Sequence, residues 1–268
     1  MIGFLIKKNF FDLWDNLIRI ILVNIGFIAF MSFPVFIPPL FASLPLLGGA
    51  FALIGILWCF VYLSAAALSF KAVSDYGSFG FADFINNLKI IWPAGLLFGA
   101  IVYLAYLLCS VVIPFYLGMN STIGLFLAAI IFWTLILAVL ALQFFFAVRV
   151  RLDTKFVKVI KKCFIIFFDN PKFCIFTFAH NFFILGLAGL ATFLFPGPAG
   201  MLLFLVPGPA GMVLFLDESL RLRLLKYDWL EVNPGANRRQ IPWDAILIDE
   251  REKTGDRSLK SFIFPWKD

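Results

Sequence analysis

The sequence predicts an all-α membrane protein: six transmembrane helices as three hairpins, with amphipathic helices in the cytoplasmic interface. Three observations carry that prediction. Apolar residues make up 62% of the 268-residue chain and charged residues 14%, against about 45–50% and about 25% in ordinary soluble domains. The apolar residues run in long unbroken stretches, not in the short alternating segments of a membrane barrel. The charges gather in alternate links between those stretches. Thirty-six Phe are too many for one water-soluble core of this size. A soluble globular protein, a disordered chain and a nucleic-acid-binding domain are thereby excluded.

Six spans follow in order, over 17–33, 46–68, 91–113, 122–147, 173–195 and 200–216. About twenty apolar residues cross a bilayer core, so the first and last are short. The links at 34–45, 114–121 and 196–199 contain no Lys, Arg, Asp or Glu. All 22 Lys and Arg fit on the other side, and the positive-inside rule makes that side cytoplasmic. Both termini are then inside, in a cell (inner) membrane, and the hairpin tips barely emerge outside. An extracellular enzyme or an extracellular soluble partner is not expected. Residues 1–216, the transmembrane domain, hold 12 basic and 6 acidic side chains. Residues 217–268, a cytoplasmic tail, hold 10 of each. The start, MIGFLIKKNFFDLWDN, lacks the form of a cleavable signal peptide.

A weak internal repeat lies on the inner side: an amphipathic helix, a polar break, then a hairpin. The breaks are Trp14-Asp15-Asn16-Leu17, Ile85-Asn86-Asn87-Leu88-Lys89 and Phe168-Asp169-Asn170-Pro171-Lys172. Asp and Asn suit such places because their side chains cap free backbone groups. Pro93 and Pro171 fall near helix starts, where proline is tolerated. The third amphipathic helix is the clearest. Phe156, Val159, Ile160, Cys163 and Phe167 form one face, and Lys155, Lys158, Lys161 and Lys162 the other. Such a basic helix is expected to lie in the interface, apolar face in the acyl region, lysines toward anionic headgroups. Ordinary positive-inside anchoring is the plainer account of the same lysines. The first helix sets Phe4, Phe11 and Trp14 against Lys7, Lys8 and Asp12 in the same way.

Asp15-Asn16-Leu17, then Asn24, Phe33-Pro34 and the stretch DYGSFGFADFINNLK at 75–89 resemble the YesL-like bacterial membrane proteins. The resemblance covers residues 8–216 with loose, apolar motifs. It implies no defined activity. What it implies at most is a part in carbohydrate uptake. The 52-residue tail departs from the pattern.

Catalytic motifs are missing: there is no Walker loop, dinucleotide fingerprint, GxSxG elbow or HExxH. No enzyme, cofactor or metal is expected. Cys59, Cys109, Cys163 and Cys174 lack metal-ligand spacing and read as small apolar residues. The only histidine, His180, stands with Asn181 about eight residues into the fifth span, roughly 12 Å deep at 1.5 Å per residue. A ligand or proton site with Asn24 or Gln143 is one reading of this pair. A simple interhelical hydrogen bond is the other.

PGPAGM occurs at 196–201 and again at 207–212. Pro207 and Pro209 remove backbone donors, so the sixth span cannot be one straight helix. Either it is a kinked span with Asp217 at the inner surface, or the last helix starts near Met212. In the second case Asp217, Glu218, Arg221 and Arg223 lie within the membrane, paired, and form a candidate site. At i,i+4 and i,i+3, Asp217 and Glu218 can each offset Arg221.

In the tail, Pro242 is placed to open a short helix from Trp243 to about Lys253, ended near Gly255. Trp243, Ile246 and Leu247 give it an apolar face, with Asp249, Glu250, Arg251 and Glu252 solvated. Trp243, Phe262, Phe264 and Trp266 need a surface to bury against: the chain's own inner face, lipid, or a membrane-protein partner. Two functions fit these features. One is a non-enzymatic accessory or scaffold to a membrane complex such as a transport system. The other is a small transporter or lipid-handling protein using the broken sixth span.

Overall fold

The computed structural model describes residues 1–195, 198–238, 240–255 and 257, without the side chains of 198–200 and 203. Among them there are helices and no strands. In chain order these are α1 (Ile2–Asp15), α2 (Leu17–Phe36), α3 (Pro45–Ser74), α4 (Phe81–Leu107), α5 (Ile113–Gly118), α6 (Thr122–Leu142) and α7 (Phe145–Arg151). They continue as α8 (Phe156–Asp169), α9 (Pro171–Leu194), α10 (Pro198–Leu205), α11 (Pro209–Val232), α12 (Trp243–Ile246) and α13 (Ile248–Thr254). Five stretches are long and apolar enough to cross a membrane: Leu17–Phe41, Pro45–Ser74, Phe81–Gly118, Thr122–Arg151 and Pro171–Leu194. The chain is thus consistent with a multi-pass membrane protein. The expected sixth span is not a sixth such helix.

That last apolar passage is divided by its own repeat. α10 starts at Pro198 and α11 at Pro209, the second proline of each PGPAGM copy. Proline at the first helical position has no N–H to lose and its φ suits the helix. The duplicated motif is therefore two helix-start signals. Between them, Gly208 leaves no room for a side chain, because a Cβ there would collide with the Phe204 carbonyl oxygen. Asn24 of α2 holds the break. Its Nδ2 donates to Leu205 O at 2.7 Å and its Oδ1 accepts from Ala210 N at 2.8 Å. One amide side chain thus satisfies a carbonyl from the end of α10 and an N–H from the start of α11, as buried backbone in lipid requires.

α2, α3 and α4 pack side by side, α3 on α4 most extensively. A Cβ on Gly95 of α4 would sit 2.6 Å from Val61 Cα of α3, so only glycine allows this approach. The next hairpin is splayed. α6 packs on α5 at the tip, while lower down α6 turns to α8 and α9. Pro114, lacking an N–H, interrupts the ladder near that tip, and Leu108–Val112 pass as a π turn. α9 packs on α10, α10 returns to α2, and α11 runs up the middle against α1, α2, α3, α7 and α9.

The interfacial helices differ from expectation. α1 and α8 end at Asn16 and Asn170, as the proposed repeat requires. The middle break does not exist, because α4 runs straight through 85–89. There Asn87 Nδ2 donates to Ser69 Oγ of α3 at 2.9 Å, so its side chain is engaged across helices and leaves the backbone helical. Pro93 accordingly lies inside α4, whereas Pro171 does open α9. The apolar face of α8 is turned to protein. Val159, Cys163 and Ile166 are buried in the protein core with Phe144, Phe145, Val148 and Phe173. α1 likewise turns Lys8, Asn9 and Asp12 inward with Phe4, Leu5 and Phe11. Both helices cover protein: α1 packs on α11, and α8 on α6, α7 and α9.

Candidate functional site

α11 carries the polar stretch DESLRLRLLKY from Asp217 to Tyr227 at the end of the bundle where ion pairs among the described residues gather, the charged face. Its apolar first turns end at Leu216. Three groups of side chains form around it. In the first, Arg151, at the end of α7, donates to both oxygens of Asp217 at 2.8 and 2.5 Å. The same guanidinium reaches Asp75 at 3.0 Å and Ser74 Oγ at 3.0 Å. Asp75, which caps α3, also accepts from Arg221 at 2.7 Å. Arg221 then donates to the Ser74 carbonyl and to Glu250 of α13 at 2.8 Å. The Tyr76 hydroxyl closes this chain on Glu250 Oε2 at 2.9 Å. Burial, then Glu250 beside it, pushes the Tyr76 hydroxyl well above its usual pKa. Tyr76 itself has φ 64°, a left-handed backbone that is uncommon outside glycine.

The second group lies between α1 and α11. Lys8 Nζ binds Asp12 Oδ2 at 2.5 Å and stands 3.9 Å above the Tyr76 ring. Glu218 sits against this pair, fully buried, and neither of its oxygens has a hydrogen-bond partner. The third group surrounds the Asn170 break. Asp169 Oδ2 accepts from Tyr227 at 2.7 Å and from Lys226 at 3.2 Å, and Lys226 also reaches Asn170 Oδ1 at 3.1 Å. Burial alone would raise the Asp169 pKa, but the bonds from Tyr227 and Lys226 prevail and hold it below the usual carboxylate range. Arg223 points elsewhere, 4.0 Å above the Phe173 ring and 5.5 Å from that of Trp243.

Two of the cavities among the described residues lie beyond this polar layer and reach His180, Asn181 or Gln143. One, of about 410 Å³, is walled by α1, α9, α10 and α11 and includes Asn9, His180 and Asn181. The other, of about 710 Å³, fills the space between the splayed α4 and α6. Phe60, Phe98, Ala105, Ala138, Phe182 and Met212 are among its walls. Its polar lining residues are Gln143 and Asn181. Gln143 Nε2 donates to Leu140 O and Cys174 O at 2.8 and 2.9 Å, and Asn181 Nδ2 to Met212 O at 3.5 Å. Neither has much left to offer an occupant, so the cavity suits an apolar guest.

No family model, no curated protein and no solved structure matches this chain. The geometry alone therefore ranks its residues.

The residues singled out from sequence are divided among separate places. His180 stacks on Phe215 at 3.8 Å between ring centroids and meets its neighbour Asn181 at 3.4 Å. It bonds neither Asn24 nor Gln143. Asn24 clamps the helix break. Asp217 and Arg221 belong to one chain of ion pairs and Glu218 to another group. The expected pairing of Arg221 with Asp217 or Glu218 is not formed, because Asp75 and Glu250 approach its guanidinium instead. Of the four lysines of α8, Lys155, Lys158 and Lys161 are exposed. Lys162 instead binds Asp153 at 3.2 Å and the Leu152 carbonyl at 3.1 Å.

The tail helix forms where expected, with a one-residue interruption at Leu247 and an end at Gly255. Leu247 is buried, and Trp243 packs on the same core. Glu250, expected in solvent, is buried on Arg221 and Tyr76. Arg257 binds Asp15 at 2.8 Å and covers the Phe11 ring. Residues 243–255 and Arg257 thus dock on the chain's own charged face. Phe262, Phe264 and Trp266 lie outside the described residues. Sequence reasoning missed Arg151, Asp75, Tyr76, Lys8 and Asp12 as partners of the α11 motif. The i,i+4 spacing of Lys8 and Asp12 was the one signal available for any of them.

Proposed function

We propose that this is a non-enzymatic, multi-pass membrane protein that holds an apolar chain, such as a lipid acyl tail, between its hairpins. The observation that carries this reading is the cavity of about 710 Å³ between α4 and α6, lined by apolar side chains except at Gln143 and Asn181. Pockets for small ligands run to about 300–1,000 Å³. The broken passage supplies Pro209 and Met212 to its wall. Lys155, Lys158 and Lys161 are exposed for anionic headgroups. Both termini are assigned to the cytoplasm, since every Lys and Arg falls on their side. Native mass spectrometry of the gently extracted protein is the test. Retained lipid is expected on the parent protein and its loss on Ala138→Phe and Ala105→Phe. Lipid retained in equal amount by both variants would refute the cavity as its site.

A second reading, as accessory subunit of a membrane complex such as a carbohydrate transport system, has its own observation. Val157, Ile165 and Phe168 of α8 are exposed beside Lys158 and Lys161, a mixed strip suited to a membrane-protein partner. A stoichiometric protein partner in the same spectra would favour it. The YesL-like resemblance remains part of that second proposal.

A further inference from the structure

Glu218 is the least satisfied charged group among the described residues. It is 0% exposed, and both carboxyl oxygens lack a hydrogen-bond partner. A buried polar group is normally bonded, and a buried charge is normally paired. The groups facing it from α1 are Asp12, Lys8 and Asn9, and the Asn9 amide nitrogen is also unpartnered.

The charges around Glu218 can be followed one by one. Lys8 is engaged by Asp12 at 2.5 Å. On α11, Asp217 is paired with Arg151, and Arg221 with Asp75 and Glu250. Beyond Lys8, Tyr76 is neutral, with Lys253 of α13 over its ring at 5.8 Å. From α9, His180 stacks on Phe215 and faces Asn181. Arg223, whose Nε has no hydrogen-bond partner, turns to the Phe173 and Trp243 rings, so no free cation among the described residues faces Glu218. Lys8, Asp12 and Glu218 together carry one uncompensated negative charge if all three are ionised. Two neighbouring carboxylates in a dry site cannot both ionise cheaply.

We propose that Glu218 and Asp12 hold one proton between them, so that the junction of α1 and α11 is a proton-binding site. The proton supplies the missing positive charge. Burial, then the Asp12 charge, raise the Glu218 pKa and prevail over the opposing pull of Lys8 and the Asn9 amide, which agrees with this arrangement. A carboxylic acid at Glu218 gains one donor, and Asp12 is the acceptor at hand. Removing the proton leaves two carboxylates competing for Lys8, which loosens α1 from α11. The site stands on α1 and α11 alone and does not depend on what fills the cavity between α4 and α6.

The sign of the pH dependence follows. A carboxyl whose folded pKa is raised binds more protons folded than unfolded. Its contribution is fully present below the ordinary glutamate pKa and is lost as pH rises through the folded value. Infrared spectroscopy of the full chain in nanodiscs tests the site directly. A protonated carboxyl band is expected near neutral pH in the parent protein. It should vanish as pH is raised, and be missing in Glu218→Gln. Thermal unfolding of the parent should weaken over that same rise, and Glu218→Gln should lack this slope. Asp12→Asn should also abolish the band near neutral pH, because Lys8 is then free to neutralise Glu218. Absence of the band in the parent would overturn the proposal. So would its persistence in Asp12→Asn, which would make burial alone its cause. Loss of the band on adding sodium at fixed pH would name a metal cation as occupant and overturn it equally. Should Glu218→Gln fail to fold, the parent spectra and Asp12→Asn decide the question.

Discussion

At the charged end of the bundle, Asp217, Arg151, Asp75, Arg221, Glu250 and Tyr76 form an unbroken chain of bonds that ties α3, α7, α11 and α13 together. Among the described residues no such bond joins α4 and α6, and about 710 Å³ stays open between them. The same chain thus builds one end by directional bonds and leaves the other loosely closed. Polar pairs fix distance and orientation, and more firmly where water is scarce. Apolar side chains gain little by leaving lipid for each other, so packing alone sets their spacing. A membrane bundle can therefore be fixed at one face and still hold space inside.

The sharpest way to break this comparison is to remove one cation. Arg151→Ala leaves Asp217, 1% exposed, without its charge partner. A loss of about 3–5 kcal/mol is expected in detergent unfolding, with Arg151→Ala/Asp217→Ala recovering much of it. A loss below about 1 kcal/mol would show that the polar end is not held by this chain. Next comes the tight side of the open end. Gly95→Ala forces a Cβ against Val61 Cα and should cost about 1–3 kcal/mol. Ala138→Phe, pointing into the cavity, should cost less in the same assay. Equal costs would mean that the space collapses in the membrane.

Between the two ends lies the Asn24 clamp. Asn24→Ala removes one donor and one acceptor from the broken passage, and a loss of about 1–3 kcal/mol is expected. Hydrogen exchange should rise first at residues 205–211. The smallest effect belongs to Arg251→Ala. Its partner Asp244 is 93% exposed, so thermal unfolding should shift by less than about 0.5 kcal/mol. A larger loss would mean that surface pairs of the tail, not the buried ones, dock it.

Much of this was visible in residue order, and the failures share one cause. Periodicity gave the faces of α1 and α8 but not what covers them. Lys8 and Asp12 looked like part of a polar face set against Phe4, Phe11 and Trp14, while the structure places α11 against α1 and buries them. Asn86 and Asn87 looked like Asn16 and Asn170, since a side-chain amide does not announce whether it will cap its own backbone or bond Ser69 across helices. The tail helix was found with its start and end because Pro242 and Gly255 act locally. Burial of Glu250 was not found, since it depends on Arg221, 29 residues away.

What the sequence determined by itself is what local chemistry governs: the apolar stretches, the grouping of the charges in alternate links, the helix start at Pro171 and a break in the last apolar passage at its second PGPAGM copy. Solvent preference and backbone sterics act within a few residues, so residue order suffices to read them. Tertiary structure alone decided which carboxylates Arg151 takes, that Asn24 spans the break, that α4 and α6 part, and that Glu218 is buried against Lys8 and Asp12. Each of those depends on groups distant in sequence that only packing brings within reach.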